Sequence, residues 1–577
     1  MNQGPDILFV NAPQLYIDAL SGDDQVDVRA PAPNGAAWNT QVTIAGGAPA
    51  GQPGLNGDDF TLETPGANNH VTYRPTNVDG GVFSLTQTAA GADTTTVTLT
   101  SAPFTIPAIN YTSSAGGFES AAYDGQGGNA ALTIQGTGLG GDTIVHTAGG
   151  SNGAGAFQVN GLLALSYKSL SSAGTTTVND TGADNTVVVD GTANNDAFTV
   201  DGASGTVHLN NRVSIAQTGV QNLVLNGYNP NNTFNLNAPL PYATSTVNSI
   251  DPATLNLTGT AGADAIVVDL TNSQITGFGG AVNYVGVAQV NLNGNGGADT
   301  LTVDGTVNDD IISYKPTSAA GGTFSQAGVP VTFNFSIGAG NLFTVLGGGG
   351  NGGDEVDVQG NNAGSVITVD SPNRRVTVEN ALNVVLMPVV LAPDVQVASV
   401  AGGIGNNTFL VIPARNVPAA NDTVGPGFLM PNNLLVHING GAVASNAALI
   451  VAGPGGATLS NNLFAVVNRT SNTSGVVRMF RSTGGPEPTQ YPDISCANVG
   501  TIQASTAVNA VTHQQQTLTM GPDLSDPNGS LNNAAFLGSG ASINATMQIQ
   551  VYDAAGNPIA NFGVNDTDSN QRRRIPA

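Results

Sequence analysis

The stretch NGNGGADTLTVDGTVNDD, Asn293 to Asp310, sets turn-forming residues on both sides of one short alternating segment, Thr300 to Val303. In an extended chain Leu301 and Val303 fall on one side and Thr300 and Thr302 on the other, the pattern of a strand with one buried face. The flanking Gly, Asn and Asp residues supply the turns. Whether these aspartates hold a metal or only shape the turns decides whether the chain binds something or builds something.

The unit recurs. Asp or Asn, any residue, apolar, any residue, apolar begins at Asp24, Asp58, Asp196, Asp264, Asp299 and Asp354, with variants from Asn232 and Asn407. Upstream of several copies a second alternating segment ends in Asn-Gly, as in Val220–Gly227, Val287–Gly294 and Leu434–Gly441. That dipeptide is a strong short turn signal. A larger repeat joins HVTYRPTNVDGGVFS (His70–Ser84) to IISYKPTSAAGGTFS (Ile311–Ser325), with Tyr, a basic residue, Pro, Thr, Gly-Gly, Phe and Ser at identical offsets.

Between Asp196, Asp264, Asp299 and Asp354 the spacings are 68, 35 and 55 residues, so the repeats carry loop insertions of unequal length. The expected fold is all-β with almost no helix. Its degenerate repeats stack as a β-solenoid resembling a parallel β-helix, or follow one another as tandem β-sandwiches, each covering its neighbour's apolar face. The expected organisation is a repeat region over 1–400, a further β-region over 401–502, a polar, Gln-rich linker at 503–525 and a last β-segment over 526–577.

Composition supports this reading. Of 577 residues, 40% are hydrophobic, 9% charged and 5% aromatic, and 76 are glycine. The residues of long amphipathic helices are scarce, and those of short strands and tight turns abound. The formal charge is −25, from 39 acidic and 14 basic side chains. Clustered positive charge occurs only in Arg572–Arg574, which excludes a nucleic-acid or anionic-membrane surface. The longest apolar run, Asn383 to Ala392, is too short to span a bilayer and reads as two buried strands around Pro388. The first twenty residues lack the basic and apolar regions of a secretion signal, and both termini break off in strand pattern, as in a piece of a longer protein.

GGNGGDEVD, Gly349 to Asp357, fits the nonapeptide of RTX-type β-rolls, and Thr137 to Val145 misses it at one position. That resemblance implies calcium between successive turns, held by carboxylates and backbone carbonyls. The copies here are solitary rather than tandem. Two readings stand open: each aspartate caps its own turn by accepting a backbone N–H, or calcium binds at some turns, with Asp23, Asp24, Asp299 and Asp354 as ligands.

The residues assemble no catalytic signature. His70, His146, His208, His437 and His513 share no ligand spacing, and the single Cys496 sits in a strand pattern as a small apolar residue. Arg374–Arg375 with Asp370 has the residue types of a polysaccharide-cleaving site, but an Arg pair between two strands also reads as a solvated hairpin turn. Trp38 and the scattered tyrosines carry no spacing that favours a sugar platform over core packing.

The strings Val282–Thr306 and Thr218–Leu236 resemble the degenerate repeats of very large bacterial surface and adhesin-like proteins. Asp526–Asn544 and Met547–Gly563 resemble parts of the pre-peptidase C-terminal domain, a small β-sandwich appended to secreted proteins; that resemblance implies secretion without peptidase activity. The expected function is that of a non-catalytic extracellular structural protein of a bacterial cell surface, part of a surface layer, filament, matrix or adhesin stalk. It would associate with itself into a polymer or lattice and meet surface polysaccharide as a partner. The alternatives are a carbohydrate-active β-helix enzyme and a calcium-dependent adhesive module.

Overall fold

The computed structural model describes residues 12–30, 40–47, 57–64, 69–87, 93–100, 105–106, 111–112, 116–250, 252–349, 353–361, 364–412, 434–441, 447–452, 463–469, 473–481, 489–490, 494–506, 516–520 and 533–537. Among these there is no helix. The chain divides into two compact units, one formed by Met1–Thr260 with Gln274–Asn291, the other by Ala261–Ser273 with Leu292–Ala577. Each is a β-solenoid of two mostly parallel sheets, and the in-register parallel stacking selects the solenoid over tandem sandwiches.

In the first unit, the strands Thr186–Asp190, Asn222–Asn226, Thr244–Asn248 and Ala281–Val285 stack in parallel in one sheet. The facing sheet carries Ala197–Asp201, Thr233–Asn237 and Thr254–Thr258 in the same manner. Their burial alternates strictly, with Val187 and Val189, Leu223 and Leu225, Phe234 and Leu236 pointing inward. The core lies between the sheets, as the Phe60–Phe83 ring contact across them at 5.2 Å shows. Each buried Leu, Val or Phe contributes roughly 1.5–3 kcal/mol.

The parallel ladder is interrupted at intervals by three-stranded antiparallel meanders, and the meanders alternate between the sheets. Asn69–Asn77, Gly80–Gln87 and Asp93–Thr100 form one in the first sheet. Thr143–Ala148, Gly155–Val159 and Leu165–Lys168 form the next in the second sheet. Each meander steps backward: its last strand, Leu165–Lys168, pairs with the preceding rung at Ser120–Asp124, and its first, Thr143–Ala148, with the following rung at Thr186–Asp190.

The second unit repeats the scheme. Ile311–Ser318, Gly321–Gln326 and Thr332–Ser336 form a meander in one sheet, followed by parallel strands Glu355–Gln359, Val397–Ala401, Leu435–Asn439 and Ile494–Ala497. The other sheet stacks Ala265–Asp269, Thr300–Asp304 and Leu342–Leu346, and its meander runs through Ser365–Asp370, Arg375–Asn380 and Val389–Leu391. Tyr314 and Phe343 pack across the two sheets at 4.8 Å.

The repeated Tyr-basic-Pro segments open the meanders at Asn69 and Ile311. Their hairpins carry matching register shifts, at Pro75/Asn77 and Pro316/Ser318. The Tyr73 hydroxyl donates to the Leu163 carbonyl at 2.9 Å and the Tyr314 hydroxyl to the Met387 carbonyl at 2.6 Å. The same loops return the bond, Leu163 N–H to the Asn77 carbonyl at 3.0 Å and Met387 N–H to Ser318 at 2.8 Å. Each tyrosine therefore pins its meander to one in the facing sheet. The second glycine of each pair clears the ring, for a Cβ on Gly81 or Gly322 would lie 2.6 or 2.8 Å from it.

The apolar run at Asn383–Ala392 differs from expectation. Only Val389–Leu391 is strand, while Leu382, Val384 and Val385 are exposed in a hairpin loop. Asn380 Oδ1 accepts the N–H of Leu382 and of Val384, and so holds that loop. Within 503–525, Gln516–Met520 is a strand paired antiparallel with Thr501–Thr506. Trp38, His513, Arg572–Arg574 and, apart from the strand Asn533–Leu537, the segment 526–577 lie outside the described residues.

Candidate functional site

The recurrent acidic and amide residues occupy equivalent places where the chain enters a strand, and successive rungs are tied through them. The N–H of one such residue donates to the side-chain oxygen of its counterpart on the next rung. Asp24 N–H reaches Asp58 Oδ1 at 2.8 Å, and Asp58 N–H reaches Glu119 Oε2 at 2.6 Å. Asp264 N–H reaches Asp299 Oδ1 at 2.9 Å, Asp310 N–H reaches Asp354 Oδ1 at 3.0 Å, and Asp354 N–H reaches Gln396 Oε1 at 2.8 Å. Amides serve equally: Asn185 accepts from Asp142 at 3.0 Å, Asn232 from Asp196 at 2.8 Å and Asn407 from Ser365 at 3.0 Å.

Three aspartates that open a meander accept bonds from their own turn and from further along that meander. Asp196 accepts the Thr192 N–H at 2.6 Å, the Thr192 hydroxyl at 2.9 Å and the Asn210 amide at 2.6 Å. Asp142 and Asp310 receive the same set from Thr137 with Asn160 and from Thr306 with Gln326. Burial works to raise Asp142, but those hydrogen bonds outweigh it and its carboxyl is held below the usual range.

Asp299 and Asp354, 1% and 2% exposed, belong to the other kind: Oδ1 is engaged by the neighbouring rung, while Oδ2 is buried without a hydrogen-bond partner. Burial, with the nearby charges of Asp310, Asp309 and Asp394, pushes Asp354 up. Asp58 is raised by burial, against the Asp24 N–H bond and with the charges of Glu119, Asp24 and Asp23. At Asp354 and Asp58, then, the carboxyl holds its proton more readily than a free carboxyl does. The expectation that each aspartate caps its own turn therefore holds at Asp142, Asp196 and Asp310 and is corrected at Asp299 and Asp354, which cap the rung beside them.

The four carboxylates named as calcium ligands do not converge on one shell, and residues 350–352 of the nonapeptide lie outside the described residues. Asp23 is exposed, Asp24 presents its N–H to Asp58, and Asp299 and Asp354 sit on separate turns, each with one oxygen committed to an amide. Among the described residues no three acidic, His or Cys side chains converge as metal ligands.

Arg374 corrects the reading of a solvated turn. It closes the hairpin between Ser365–Asp370 and Arg375–Asn380 in the left-handed region, φ 49°, yet is 7% exposed. Its Nε donates to the Leu391 and Ala392 carbonyls at 3.1 Å, and Nη2 donates to Ala392 at 2.8 Å and to Val395. Arg375 is exposed, and Asp370 accepts from the Asn373 N–H and amide at 3.3 and 2.8 Å. Arg374 and Asp370 brace the turn, and Arg375 faces outward. Cys496 is buried, its thiol donating to the Gly475 carbonyl at 3.3 Å.

One concave site escaped the sequence reading. On the outward face of the second unit's sheet, Asp357, Ser399, His437 and Ser495 stand in register on four adjacent parallel strands. They line a groove of about 620 Å³ together with Glu355 and Asn439. Ser399 donates to Glu355 Oε1, and the Asn498 amide to Asn439 Oδ1 at 2.9 Å. Burial and the charge of Glu355 raise Asp357, against a hydrogen bond from Gln359. The available signal is that Glu355, Asp357, Ser399, His437, Asn439 and Ser495 take the outward positions of their alternating strands; their distances in sequence follow loop lengths that no local pattern sets.

Compared with known proteins, the chain matches no family model and no curated protein.

Proposed function

We propose that the chain is an extracellular structural protein of a bacterial cell surface, a length of surface layer, filament, matrix or adhesin stalk that works by cohesion and without catalysis. The observation that carries this reading is the rung-to-rung ladder of buried acceptors, Asp24 to Asp58 to Glu119 and Asp310 to Asp354 to Gln396, which locks the stacking register by bonds between residues 34 to 61 positions apart. Such a device stiffens a stack and serves no reaction. The low charged fraction and net acidity suit a soluble surface polymer.

Self-association supplies the biological output, copies joining into a lattice or fibre through strand edges. Electron microscopy of the full chain at high concentration tests this. Ordered sheets or filaments are expected; a population of monomers alone, also seen by cross-linking, refutes it.

A further inference from the structure

We propose that the outward groove over Glu355–Gln359, Val397–Ala401, Leu435–Asn439 and Ile494–Ala497 binds an oligosaccharide, uncharged or bearing amino groups, laid across the strands.

One outward row of amides elsewhere on the solenoid satisfies itself. In the first unit Asn256 donates to Asn235 at 2.7 Å, Asn291 to Asn256 at 2.7 Å, and Asn235 to the Phe198 carbonyl at 3.2 Å, a stack of like amides with each donor used by the next rung. The groove row is built differently. Carboxylate, hydroxyl, imidazole and hydroxyl follow one another at Asp357, Ser399, His437 and Ser495, so no like-on-like ladder forms and the row presents mixed donors and acceptors to a cavity.

The chemistry of the lining selects the ligand. Glu355 and Asp357 project from the same face of one strand and repel negative charge, and the described lining residues include no Lys or Arg, so an anionic ligand does not suit this lining. A chain of hydroxyls does, because carboxylate, amide and imidazole groups recur across the sheet at about the 4.8 Å interstrand spacing, a step on the scale of one sugar ring. Amino groups on the sugar would add charge-assisted bonds to Glu355 and Asp357. The short Ser399 and Ser495 side chains leave the depth, and the volume lies within the range of small-molecule sites.

Calorimetric titration of the full chain with a chitosan hexamer, cellohexaose and polygalacturonate tests the assignment, alongside Asp357→Asn and His437→Ala, both on the sheet's outer face, with unfolding curves to check that each variant folds. Binding of one or both of the first two sugars, not of polygalacturonate, and a loss of about tenfold in affinity for Asp357→Asn are expected, the size of one lost hydrogen bond to a charged group. Release of shorter sugars during the titration would support the ligand class and overturn the non-catalytic reading. No binding at millimolar sugar, binding of polygalacturonate, or affinity unchanged in both folded variants overturns the proposal. Its failure would leave the scaffold reading, judged by microscopy, untouched.

Discussion

Replacing Asp354 separates the two things its carboxyl does. Its Oδ1 accepts the buried Asp310 N–H at 3.0 Å, while its Oδ2 is buried without a partner among nearby acidic groups. Asp354→Ala removes the acceptor and strands the Asp310 amide, which costs about 1–3 kcal/mol. Asp354→Asn keeps the acceptor and removes the buried charge, as Asn185, Asn232 and Asn407 already do at equivalent places. Because the folded carboxyl is raised, the stability it contributes is fully present below the unfolded value near 3.9 and is lost as pH rises through the folded value. At pH 7 the Asn variant is therefore expected to be at least as stable as the parent, and the two converge toward pH 4. The Ala variant trails the Asn variant by about 1–3 kcal/mol at both. Urea unfolding of the full chain, with hydrogen exchange at the Asp310 amide reporting on this unit alone, measures all three. Equal losses for Ala and Asn at pH 7 would refute the ladder argument.

Three further outcomes are expected. Gly294→Ala places a Cβ 2.0 Å from Asp299 Oδ2 and is expected to lower stability by about 1–3 kcal/mol in thermal unfolding, with part of the loss recovered by Asp299→Ser in the same chain. His146 is buried against Phe157 and bonded to Tyr167 at 2.9 Å, and burial lowers it from 6.5 to about 4. The folded state binds the proton less readily, so stability falls as pH drops from 6.5 toward 4, by about 3 kcal/mol at 1.36 kcal/mol per unit; His146→Leu is expected to flatten the profile there, and an unaltered slope would refute the assignment. Arg374→Met strands the carbonyls of Leu391, Ala392 and Val395 and is expected to destabilise by at least about 2 kcal/mol, whereas Arg375→Met stays within about 0.5 kcal/mol of the parent in the same urea titration.

Period-two patterning made the strands legible. Leu301 with Val303, and Phe198 with Val200, point inward as their alternation requires. The matched offsets of Tyr73 and Tyr314 also announced a real repeat, but the carbonyls they bond, Leu163 and Met387, lie 90 and 73 residues away on the facing sheet. Glycine misled in one respect. Gly296 and Gly297 have φ of 101° and 93°, as turn residues should, whereas Gly294, Gly191 and Gly227 are needed for space, since a Cβ would strike Asp299, Asp196 or Asn232. The same long range hid the groove, whose side chains meet only after several loops of unrelated length have closed.

The backward step of each meander bears on how the chain assembles. A hairpin such as Ile311–Ser318 with Gly321–Gln326 closes a short loop and can form in microseconds, before Ile311 finds its parallel partner Glu355, 44 residues on. Its trailing strand then docks on what is already laid down, and its leading strand offers a bare edge that templates the rung to come. Assembly becomes a ratchet, in which quickly formed local pieces set the alignment for slower distant ones.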